Sequence, residues 1–151
     1  MTMDIGITRE NREKVIEMLN TLLADEYVLY TKTRNYHWNV RGSQFKALHD
    51  LFEEQYDELA LVADEVAERA GALGGRALGT LSELQEASRL SENPGERPTA
   101  KEMITDLVKS HEKVIKHLRT DAVRASDEYG DIGTEGFLAE RIEQHEQMAW
   151  M

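Results

Sequence analysis

The sequence predicts an all-α protein: a ferritin-like four-helix bundle, with a short extra helix in the long crossover between helices two and three. Three observations lead there. Apolar residues recur at helical spacing through four long segments. The links joining the first to the second and the third to the fourth are short, whereas the link between the second and third is long. Gly, Pro and Ser gather mainly in that long link, between Gly71 and Pro98, and the chain holds only 2 prolines. Short turns make antiparallel neighbours, and a long connection carries the chain back along the bundle. At 151 residues the chain reads as a single domain over 1–151, long enough for a real core.

The first helix is expected from about Thr8. Its inner stripe is Val15, Leu19, Leu22, Leu23, Glu26, Tyr30, Thr33 and His37, and it ends at "NVRGS", where Gly42 permits a reversal. The second is expected from about Ser43 to Leu73, with Phe45, Leu48, Phe52, Tyr56, Leu59, Ala63, Val66 and Ala70 as its stripe. "ALGG" stops it. A short helix over about Leu81 to Arg89 precedes the break at "NPG". The third long helix opens with Thr99-x-x-Glu102, a capping box, and carries Ile104, Leu107, Val108, His111, Val114, Ile115, Leu118, Ala122 and Ala125 inward. "SDEYGDIGT" ends it. The fourth starts near Thr134 and presents Phe137, Leu138, Ile142, His145 and Met148.

Composition narrows the function. A formal charge of −11 argues against a broad basic face for nucleic acid, since phosphate contacts need clustered Lys and Arg. The absence of cysteine removes disulfides, thiolate ligands and thiol catalysis, and fits a reducing, cytoplasmic setting. No long apolar run suggests a signal peptide or a membrane span.

The chemistry-bearing residues lie in one stretch, "NYHWNVRGSQFKALHDLFEEQYDELALVADEVAER". His49 and Glu53 are four apart and face the same way, as do Asp64 and Glu68. Fifteen residues separate His49 from Asp64, a rotation of about 60° but a rise of roughly 22 Å. One metal centre cannot span that. Bundles that house two irons internally use Glu-x-x-His pairs, and no histidine here has Glu three residues before it. If two copies of the second helix pack antiparallel about a two-fold axis, His49 of one meets Asp64 and Glu68 of the other, and two equivalent sites form at one interface. His37 reaches the same place across the short turn. Two imidazoles with carboxylates suit iron(II), and also zinc or manganese.

The same stretch resembles the signature of the Dps family, the ferritin-like proteins of starved cells. The likeness extends through "TLSELQEAS" to the closing "HEQMAWM". It implies a dodecameric hollow cage with ferroxidase sites at two-fold interfaces. By this resemblance His37 and His49 ligate iron from one subunit, and Asp64 and Glu68 from its neighbour. Glu53 binds or bridges a second, weaker iron. The implied reaction oxidises iron(II) with hydrogen peroxide in preference to dioxygen, and stores the ferric product inside. Trp38 is implicated in intercepting stray radicals, with interface packing as its alternative role. Asp127 and Asp131, with Glu135, match the acidic region that lines three-fold ion pores.

In one respect the sequence departs from the resemblance. Before the first helix stands only "MTMDIGI", and the chain closes on Trp150 and Met151 with no basic extension, so direct DNA binding is not expected. A DNA-compacting module and a cage holding zinc instead of iron are the rival readings. Elsewhere, His111 and His145 read as core residues with hydrogen-bond partners, and Tyr27, Tyr30 and Tyr56 as packing. Glu26, on an inner stripe, calls for a buried partner, with Arg the expected one.

Overall fold

The computed structural model describes residues 2–151 and contains five helices: α1 (Arg9–Asn39), α2 (Phe45–Ala72), α3 (Leu81–Ala87), α4 (Ala100–Asp127) and α5 (Ile132–Trp150). The four long ones form the bundle, and α3 lies in the crossover. Thr8 caps α1 by accepting from the Asn11 N–H, and Thr99 and Glu102 form the full capping box at the head of α4. Gly42 turns the chain between α1 and α2 at φ +113°, a backbone state that L side chains rarely adopt.

The crossover climbs α1 in step with the sequence. Arg12 donates to the Leu73 carbonyl, Asn20 to that of Arg76 and Lys32 to that of Ser91, while Asp25 accepts from the Arg89 N–H. The climb returns the chain to the end where α2 begins, so α4 starts there. Consequently α1 and α5 run one way and α2 and α4 the other. Gly75 is required at the foot of this climb, because a Cβ there would lie 2.5 Å from Ile16 Cγ2.

Leu19, Leu29, Leu59, Val66, Met103, Val114 and Leu138 are fully buried, each large side chain stabilising by about 1.5–3 kcal/mol. Two hydrophobic residues of the expected stripes are exposed. Ile104 is 42% exposed and Phe45 43%. On α4 the inward row runs through Met103 and Leu107, leaving Ile104 on the flank. Phe45 opens α2, and its ring lies against His49. The short helix stops at Ala87 instead of Arg89, since Ser88 Oγ and the Arg89 N–H both turn to the buried Asp25 carboxylate. The last helix starts at Ile132, two residues early, because Asp131 caps it.

The bundle interior also holds titratable side chains. Glu26, His111 and His145 are essentially inaccessible. His145 Nε2 lies 2.6 Å from Glu26 Oε1, and the Nδ1 atoms of His145 and His111 lie 2.9 Å apart. Both histidines therefore have the core partners anticipated for them. The partner of Glu26, however, is His145 of α5 and not an arginine. Burial, and then His145, push the His111 imidazole down to about 3. Nearer the turn end, Lys32 Nζ is held by Asp106, Ser110 and the Ser91 carbonyl, and Tyr36 donates to Asp106 at 2.6 Å. No helix among the described residues is long and apolar enough to cross a membrane.

Candidate metal centre

The turn between α1 and α2 brings His37 and His49 together. His37 Nδ1 is 2.7 Å from the His49 carbonyl oxygen, and His49 Nδ1 is 2.9 Å from that of His37. Carbonyl oxygens only accept, so both Nδ1 atoms carry their protons and donate. In the neutral imidazole the lone pair then lies on Nε2. The rings stack with centroids 3.8 Å apart. Orienting a histidine by its second nitrogen is the usual preparation of an imidazole for a metal.

Two aromatic residues frame the pair. Phe45 stacks on His49 at 4.9 Å, and Tyr56 meets His37 edge-on at 5.2 Å. Trp38 is 64% exposed, with the Arg34 guanidinium over its ring. Desolvation, and then the Glu53 and Asp57 carboxylates, hold the Tyr56 phenol above its ordinary range. The place of Tyr56 beside the imidazoles was not read from the sequence, although its spacing of seven from His49 puts both on one helix face.

The acidic residues are arranged differently. Glu53 stands exposed one turn beyond His49, and Asp64 and Glu68 are exposed farther along α2. The chain does not fold Asp64 or Glu68 back to the histidines. Among the described residues no three His, Asp or Glu side chains converge on a metal-sized point. Ala60 and Leu61 lie between the two groups and are also exposed, Leu61 at 65%.

The acidic residues matched to a pore separate at the α4–α5 turn. Asp127 is exposed and Glu135 half-buried. Asp131 is 3% exposed. Its Oδ1 accepts from the Thr134 N–H at 2.9 Å and pairs with Arg69 at 3.4 Å. The Asp131 carboxylate thus caps α5 and ties it to α2.

Comparison with known proteins agrees with this architecture. A family model described as a ferritin-like domain matches residues 16–151. The chain is 44% identical over 148 residues to a low temperature-induced protein of Nostoc sp., covering 98% of this chain and 83% of that one. It is 39% identical over 140 residues to DNA protection during starvation protein 2 of Bacillus anthracis, covering 92% and 94%. Among solved structures, DpsC from Streptomyces coelicolor superposes with a TM-score of 0.94 at 31% identity, covering 99% of this chain and 87% of that one. A Dps protein from Vibrio cholerae, described as a member of a broad superfamily of ferritin-like diiron-carboxylate proteins, superposes at 0.88 with 30% identity, covering 99% and 96%. The chain belongs to the Dps family of ferritin-like proteins.

Proposed function

We propose that the protein oxidises and stores iron, as a mini-ferritin cage whose active sites are shared between subunits. The observation that carries this reading is the reciprocal bonding of His37 and His49, which ties up both Nδ1 atoms and leaves Nε2 of each neutral ring as the metal-binding nitrogen. Such a pair lacks carboxylates of its own beyond Glu53. The exposed face of α2 bears Asp64 and Glu68 one site-length away, and an antiparallel copy of α2 supplies them across a two-fold axis. His37 and His49 then hold the first iron(II) with the neighbour's Asp64 and Glu68, and Glu53 takes part in holding the second. Leu61 and Trp38, both exposed in the single chain, are further support for a partner on this face.

Iron is substrate and cargo here. Two iron(II) ions give one electron each to hydrogen peroxide, two protons are taken up, and two waters leave. Because both electrons arrive together, hydroxyl radical is not released. The protein contributes ligands, proximity and an enclosed space. Removal of iron and peroxide together also provides the DNA protection named in the Bacillus anthracis relative, without a DNA contact. Titrating iron(II)-loaded protein with peroxide under anaerobic conditions tests the reading. One peroxide consumed per two irons is expected, and iron that stays reduced would refute it.

A further inference from the structure

The helix that carries the acidic ligands is short of positive charge. Between Phe45 and Ala72 it holds eight carboxylates and two cations. One cation, Arg69, is engaged with Thr134 and Asp131 at the head of α5. The other is Lys46, whose side chain is 82% exposed and whose Nζ lies 3.0 Å from Asp50 Oδ1. Lys46 and Asp64 are eighteen residues apart, about five helical turns, so they point the same way. In the antiparallel pairing that sets His49 opposite the span from Asp64 to Glu68, the midpoint of that span is Val66. Lys46, three residues before His49, therefore stands opposite Arg69, three beyond Val66, with Glu68 beside it. Packed helices have axes about 8–10 Å apart, a gap that a lysine stem crosses.

Before iron enters, Asp64 and Glu68 of one chain would meet Glu53 of the other in that interface with no metal among them. Burying like charges without compensation is costly. We propose that Lys46 is the counter-ion of the metal-free site: its ammonium crosses the interface to Glu68 of the partner subunit, and turns back to Asp50 of its own helix when iron(II) takes that carboxylate. The inference rests on the shared-site reading above. Asp50 is where Lys46 rests in the single chain, one turn along α2 and next to His49. An ammonium is a compact point charge with three donors on a flexible stem, so it exchanges one carboxylate for the other without disturbing the helix. The interface then holds together while empty. Iron(II) binds by displacing a single charge, which its double charge outweighs.

The assembled, metal-free protein is titrated anaerobically with iron(II) in a calorimeter. Lys46→Met removes the competing charge and keeps much of the stem. It is expected to tighten binding about fivefold, the contribution of a firm exposed ion pair. Asp50→Asn removes the resting place and is expected to weaken binding by a similar factor. In the Lys46→Met background the same Asp50→Asn change is expected to have no effect, because no ammonium remains to be received. Equal weakening in both backgrounds would reduce Lys46 to a distant charge and overturn the proposal. So would unchanged or weaker binding in Lys46→Met. Sedimentation velocity supplies a readout independent of affinity: metal-free Lys46→Met should dissociate on dilution more readily than wild type, while the iron-loaded forms match. Equal dissociation of the metal-free forms would refute the counter-ion. Iron(II) binding as tight in His49→Ala as in wild type would instead mark the failure of the shared-site reading, and the counter-ion would fall with it.

Discussion

At the scale of single residues, His111 is the group most at odds with its surroundings. Its imidazole is buried beside His145 and pushed from the ordinary 6.5 to about 3. Between those values the unfolded chain binds a proton that the native chain refuses, so native stability rises with pH through that window. The contribution is complete above about pH 6.5 and is lost progressively as pH falls toward 3. Comparing urea midpoints at about pH 7.5 and about pH 5 checks this. The wild-type midpoint should fall further than that of His111→Gln, which keeps a donor for His145 but does not titrate. The sequence announced part of this network: His111, His145 and Glu26 all stand on apolar stripes, and a buried polar group needs a partner. It did not announce who partners whom. Glu26 and His145 are 119 residues apart, and only the return of α5 alongside α1 joins them.

At the scale of elements, caps and stripes were unequally legible. The Thr99–Glu102 box was visible because its residue types and spacing are local. Asp131 was matched to a pore by resemblance, and its capping role was not read, because an Asp in a turn looks the same whether it caps or lines. What decides is Arg69, brought from the end of α2. The two roles separate experimentally. Asp131→Ala should cost about 0.5–2 kcal/mol of stability, as lost N-caps do, read as a lowered denaturation midpoint. Asp127→Ala, at the exposed end of α4, should leave the midpoint within about 0.5 kcal/mol. A wild-type midpoint for Asp131→Ala would contradict the capping role. The misplacement of Ile104 has a similar cause. A stripe drawn at three-to-four spacing tolerates a shift of one residue, and only packing against α1 and α5 chooses Met103 over Ile104.

At the scale of the whole molecule, the spacing of His49 from Asp64 matters more than either residue alone. Single His49→Ala and Asp64→Ala cages should both lose most of the fast iron oxidation, although the two positions are far apart in one chain. Mixing gives a sharper outcome. A subunit carrying His37→Ala and His49→Ala has intact acids, and one carrying Asp64→Ala and Glu68→Ala has intact histidines. At a two-fold interface between them one site collects every substitution and the other collects none. Cages assembled from an equal mixture should therefore recover about a quarter of wild-type sites by random pairing, although each parent is slow. No recovery would rule out sharing. The proposal of a shared site could be drawn from the sequence because the spacing of His49 and Asp64 excludes a site within one helix, whereas the mutual clasp of the histidines could not, since it depends on the path of the backbone through the turn. That clasp also bears on kinetics. Each imidazole is tied to the main chain of the other, so the turn from Val40 to Gln44 is cross-braced before any metal arrives. The loss of conformational entropy that binding would otherwise impose has already been met in folding. Capture of iron(II) should then follow encounter with no slow rearrangement. Deuterium exchange of the backbone amides of the turn should therefore change little between the metal-free cage and the loaded one.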